Sequence, residues 1–167
     1  QVGLVQPAPV KMFGAQASGC APIVRAVEEG RDYIVPEKPD TLARSLAIGN
    51  PADGVFAARV MRESGGWGAH VSDDEIVDGI RLLASHEGIF AETAGGVTVA
   101  ALKRLREQGR IGPNELTVLC ITGNGLKTTD AVCGVGGTEF VIPPKVAEFE
   151  RVVLGALESA SVLAEAA

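Results

Sequence analysis

Short apolar runs alternate along this chain with longer segments in which apolar residues recur at helical spacing. Residues 10–16 (VKMFGAQ) predict a short strand. A helix follows from Pro22, a residue suited to a first turn, and closes at Gly30. Residues 35–40 read as a proline-punctuated loop, and residues 41–48 as a weak helix stopped by Gly49-Asn50-Pro51. A further helix is predicted from Gly54 to Ser64, then a strand over 67–72. Ser72 with Glu75 three residues on is a capping box. Ile76, Ile80, Leu83 and Ala84 continue it as an apolar stripe, and Gly88 ends the helix. Thr93-Ala94-Gly95-Gly96 reads as a loop of small residues opening a helix through Val97, Val99, Ala101, Leu102 and Leu105 to Gly109. After the turn at Pro113-Asn114, the unbroken apolar run LTVLCI at 116–121 predicts a strand buried on both faces. The tail predicts a short strand at 140–142 and a long helix from Lys145 to Ala164.

Strands alternating with helices, one strand being buried on both faces, imply an α/β domain with a largely parallel sheet. Ligands of such sheets bind outside the carboxyl ends of the strands. Three loops are expected there: 17–21, 92–96 and 122–127, all rich in Gly, Ala, Ser and Thr.

Composition narrows the possibilities. Aromatic residues are only 4%, so the core must be built from Val, Leu, Ile and Ala. A net charge of −6 argues against nucleic acid and against anionic membrane surfaces as partners. No apolar run reaches the length of a membrane span, and no signal-peptide pattern opens the chain. Cys20, Cys120 and Cys133 are too widely spaced for a metal or redox pair, so they read as free thiols of a cytoplasmic protein.

The strongest candidate for chemistry is Thr122-Gly123-Asn124-Gly125, directly after the 116–121 run. Its hydroxyl can make a hydrogen bond at the sheet edge, and its glycines let backbone approach a ligand. A tight turn with nothing bound explains the same residues. Lys127 reads as a solvated or helix-capping cation, because its surroundings are polar. The loop at Ser18 offers backbone N–H groups to an anion but carries no phosphate-loop pattern. His70 and His86 have no acid at catalytic or metal spacing, and no metal site is expected.

KMFGAQASGCAPIV, LARSLAIGNPADG, MRESGG, VSDDEI, EGIFAETAGGVTVAALKRL and VLCITGNGLK occur in this order. As a set, over residues 10–131, they resemble the threonine synthases, fold-type-II enzymes that use pyridoxal phosphate (PLP). The resemblance implies an α/β fold in three layers, a mostly parallel sheet flanked by helices. Residues 1–131 would be part of the large domain; residues 132–167, which the resemblance does not cover, read from their own pattern as a C-terminal strand and helix extension. It implies conversion of O-phospho-L-homoserine and water to L-threonine and phosphate, in a homodimer or larger assembly.

By motif, Thr122 would hydrogen-bond the pyridine nitrogen, with Gly123 and Asn124 beside it. Glu92 and Thr93 match a loop bordering the ring, although the family's Glu-Pro-Ala-Ser is Glu-Thr-Ala-Gly here. Asn50, in IGNP, would lie near the cofactor. The family's Schiff-base lysine, its phosphate-gripping loop and most groups for the substrate phosphate have no counterpart here. The chain, which starts at Gln1, therefore reads as the C-terminal part of such an enzyme, with no catalytic residue of its own and no activity alone. A fragment of a threonine dehydratase or cysteate synthase, or a non-catalytic interaction module, would share these features.

Overall fold

The structure is a computed structural model, and it describes residues 8–133 and 140–157. They fall into two compact units, one ending at Val132 and the other beginning at Cys133.

In the first unit, β1 (Gly14–Ala17) pairs in parallel with β2 (Gly68–Val71), with Gly14 opposite Gly68 and Ala17 opposite Val71. Residues alternate between the faces of the pair, and the two faces meet different helices. On one face the paired glycines admit large side chains. A Cβ on Gly68 would stand 2.9 Å from Val24 of α1 (Pro22–Glu28), and one on Gly14 2.6 Å from the Met61 sulfur of α2 (Gly54–Glu63). On the other face Ala17, Ala69 and Val71 join Val97, Ala101 and Leu105 of α4 (Thr93–Glu107) in the main apolar core. Helices thus cover both faces, and α3 (Asp73–Glu87) packs on α4 through Ile76 and Ile80. The chain is an α/β structure with a parallel sheet, as the alternation implied.

Local signals explain the helix boundaries. Ser72 and Glu75 complete the capping box: Ser72 Oγ accepts from the Glu75 N–H and the Glu75 carboxylate from the Ser72 N–H. Gly88 ends α3 in the left-handed conformation, at φ 66°, that glycine adopts without strain. At the start of α1, the Gln16 side-chain oxygen accepts from the N–H groups of Ile23 and Val24.

Several expectations change. Residues 93–96 are not a loop but the first turn of α4. Their smallness serves close packing, since a Cβ on Gly96 would lie 2.5 Å from the Ile76 carbonyl oxygen. The weak helix over 41–48 reduces to a 3-10 turn at Arg44–Leu46. Residues 116–121 form no strand: Leu116 is 97% and Val118 83% exposed. A strand exists only by pairing, and no described strand pairs with this run. In the second unit, 140–142 have no regular structure. There α5 (Val146–Phe149) runs into a π-helical turn at Glu150–Leu154, and the end of the expected long helix lies outside the described residues. No helix among the described residues is long and apolar enough to cross a membrane.

The α3–α4 contact gives a test whose sign decides. Gly79 sits mid-helix, where Ala normally gains about 1 kcal/mol of helix propensity. Its Cβ, however, would lie 2.5 Å from the Gly96 carbonyl oxygen. Overpacking of this kind costs about 1–3 kcal/mol. Gly79→Ala is therefore expected to lower stability in urea unfolding, and a gain would contradict the close helix approach.

Candidate functional site

The chain after residue 121 folds back onto the segment that leads into α4. Ala91 and Asn124 form an antiparallel bridge. The Glu92 N–H donates to the Gly123 carbonyl at 3.2 Å, the Gly125 N–H to the Phe90 carbonyl at 2.9 Å, and the Thr93 N–H to Thr128 Oγ1 at 3.3 Å. Asn124 shapes the return, its Oδ1 accepting from the Leu126 N–H at the head of the Gly125–Lys127 turn. The approach requires glycine twice. Gly123 has φ 79°, and a Cβ there would fall 2.1 Å from the Glu92 carboxyl group; a Cβ on Gly125 would fall 2.5 Å from the Phe90 ring.

Glu92, whose side chain is only 6% exposed, forms an ion pair of 2.9 Å with Lys127. Lys127 is therefore neither a purely solvated cation nor a cap. It supplies the counter-charge that a buried carboxylate needs. Thr93 is fully buried, and its Oγ1 has no hydrogen-bond partner. Thr122 is exposed, with no hydrogen bond among the described residues. The structure thus brings together Glu92, Thr93 and the 122–125 loop. Asn50 is exposed in the bend before α2, and among the described residues no hydrogen bond or ion pair joins it to either segment.

The other candidate loop is self-satisfied. The N–H groups at the start of α1 are taken by Gln16 and by the Glu37 carboxylate, which accepts from the Ala21 N–H at 3.1 Å and pairs with Arg25 at 2.5 Å. Burial, with Glu37 adding, pushes the nearby Cys20 thiol above its ordinary pKa.

His70 has the partners that spacing did not reveal, Ser18 Oγ at 2.8 Å from Nδ1 and a Glu28 carboxylate oxygen at 3.8 Å from Nε2. Arg104 ties α4 to this strand end, donating to the His70 carbonyl and pairing with Glu75 at 2.5 Å. Burial alone would raise the Glu75 carboxyl; its Ser72 hydrogen bonds and Arg104 outweigh that and hold it below the ordinary carboxylate range. No cluster suited to a metal ion occurs among the described residues.

Residues 3–123 match the family profile described as "Pyridoxal-phosphate dependent enzyme". The chain is 43% identical to threonine synthase of Methanocaldococcus jannaschii over 130 residues, 77% of this chain and 32% of that protein. With threonine synthase of Methanosarcina acetivorans it shares 38% identity over 146 residues, 87% of this chain and 36% of that protein. The chain thus spans about a third of the length of these curated relatives. Among solved structures, Escherichia coli threonine synthase is similar in fold, with a TM-score of 0.59 over 83% of this chain and 32% of that one, at 19% identity.

The Glu92–Lys127 pair yields a prediction. Lys127→Met leaves a buried carboxylate without its partner and is expected to cost roughly 1–3 kcal/mol in urea unfolding. Adding Glu92→Gln should recover part of that loss. A double variant no more stable than Lys127→Met alone would contradict the coupling.

Proposed function

Because the chain belongs to the pyridoxal-phosphate dependent enzyme family, we propose that it is the C-terminal portion of a threonine-synthase-like enzyme. The reaction is that of a lyase in amino-acid biosynthesis, O-phospho-L-homoserine and water giving L-threonine and phosphate, in a cytoplasmic homodimer. The observation that supports this most is the bridge between Ala91 and Asn124. It joins the two segments that motif resemblance assigns to the cofactor ring.

The residues there fit the nitrogen side of a pyridine ring. Thr93 keeps a buried hydroxyl oxygen without a partner, and Thr122 an exposed hydroxyl equally unused. In this reading Thr122 makes the hydrogen bond to the ring nitrogen, with Gly123 and Asn124 fixing its loop. As a neutral partner it does not hold the ring protonated as a carboxylate would. Glu92 borders the ring with its charge committed to Lys127. For the same reason Lys127 is not a free amine, and no catalytic residue is assigned to this chain. PLP, when bound, supplies the electron sink for carbanion chemistry on the substrate. Asn50 enters this reading by its motif alone.

The test is to co-express the chain with the part of the M. jannaschii protein that it does not cover. The purified complex is then assayed with phosphohomoserine, threonine and phosphoserine. The reading expects threonine and phosphate from phosphohomoserine, and none from the chain alone. It also expects Thr122→Val to weaken PLP binding about five-fold, the worth of one neutral hydrogen bond. Turnover of threonine or phosphoserine instead would assign the chain to another enzyme of the family; turnover by the chain alone would refute the portion reading.

A further inference from the structure

The sequence contains three asparagines, Asn50, Asn114 and Asn124. An asparagine side chain is open to attack by the main-chain nitrogen of the next residue, and the identity of that residue governs the reaction. Asn50 precedes Pro51, which has no N–H, and Asn114 precedes Glu115, whose side chain crowds the approach. Asn124 precedes Gly125, which has no side chain to obstruct it. Asn124 is also exposed to the water that completes the reaction.

Two hydrogen bonds at this dipeptide act in opposite directions. The Leu126 N–H donates to Asn124 Oδ1 at 2.9 Å. That donor polarises the side-chain carbonyl and would stabilise the negative oxygen formed when Cγ is attacked. The Gly125 N–H, however, donates to the Phe90 carbonyl at 2.9 Å, so the attacking nitrogen is engaged elsewhere. The backbone adds a second restraint. At ψ 142° the Asn124 Cβ and the Gly125 nitrogen stand apart about the Cα–C bond, whereas a five-membered ring needs them eclipsed. The electrophile is prepared while the nucleophile is withheld, and what withholds it is the docking of this loop on residues 90–93.

That docking is fastened from the far side of the turn. Lys127, 63% exposed, pairs with Glu92, and Thr128 Oγ1 accepts from the Thr93 N–H. A short return fastened by exposed contacts opens more readily than the core does.

We propose that Asn124-Gly125 is a self-modification site, kept closed by docking of residues 122–128 and reactive when they lift. In the lifted loop the Gly125 nitrogen bonds to Asn124 Cγ and the Cγ–Nδ2 bond breaks. Ammonia leaves, carrying the proton that Gly125 loses. Water then opens the cyclic imide at either carbonyl, leaving aspartate or isoaspartate. Either product puts a carboxylate on the loop that packs against Glu92, whose charge Lys127 already matches. Isoaspartate also lengthens the main chain between Gly123 and Gly125, whose bonds to Glu92 and Phe90 depend on their spacing. The site stands on this geometry and is independent of the enzyme reading above.

The experiment incubates the 167-residue chain and a synthetic peptide of residues 119–131 in the same mildly alkaline buffer. Peptide mass mapping follows conversion of Asn124 to its acid forms, with Asn114 as the internal comparison. The chain is expected to convert about ten-fold more slowly than the peptide, the worth of roughly one hydrogen bond held closed. Lys127→Met unfastens the loop and should raise the chain's rate about five-fold or more. Gly79→Ala, which weakens the distant α3–α4 contact, should leave the rate unchanged. Equal rates in chain and peptide overturn the proposal, as does an unchanged rate in Lys127→Met. Equal acceleration by Gly79→Ala and Lys127→Met overturns it by assigning the opening to whole-chain unfolding. Conversion of Asn114 as fast as that of Asn124 overturns the role given to Gly125.

Discussion

The parallel pairing of Gly14–Ala17 with Gly68–Val71 is the constraint around which the rest is arranged. Two strands of four residues cannot be stable by themselves, so both faces must be covered. Glycine opposite glycine lets α1 and α2 settle on one face, and alanines with Val71 let α4 settle on the other. The aromatic-poor composition follows from that geometry. Helices brought this close to a sheet, and α3 this close to α4, leave room for Ala, Val and Gly rather than for large rings.

The same pair orients the end of the first unit that carries the candidate site. Helix α4 is held against the strands, and its first turn carries Glu92 and Thr93 to the edge where the 122–125 loop returns. The loop docks because Gly123 and Gly125 remove side chains that would collide with Glu92 and Phe90. Of the two explanations of the glycines, close packing is the one the geometry displays. The glycines are required by loop-on-loop packing, and that packing displays Thr122 beside a buried, charge-compensated Glu92.

What could be read in the sequence was what is local. The capping box at Ser72 and Glu75, Pro22 at a helix start and Gly88 at a helix end are carried by a few adjacent residues, and all stand as expected. The Thr93–Gly96 turn was misread because its glycines look like loop chemistry, while their reason is the nearby Ile76 carbonyl on another helix. The LTVLCI run has the composition of a central strand, but composition cannot provide a neighbour. Pairings between distant residues, Lys127 with Glu92 and His70 with Ser18, leave no trace in spacing. The association of Glu92 with Thr122 was legible only through resemblance to a family, since nothing in either segment alone points to the other.

The central claim is that this chain presents the ring-nitrogen side of a PLP site without the lysine that anchors the cofactor. The most direct measurement is titration of the chain with PLP, followed by borohydride reduction and intact-mass analysis. The account predicts weak labelling scattered over exposed lysines. One stoichiometric adduct at a single lysine, Lys127 above all, would contradict it and make the chain a complete cofactor-binding unit.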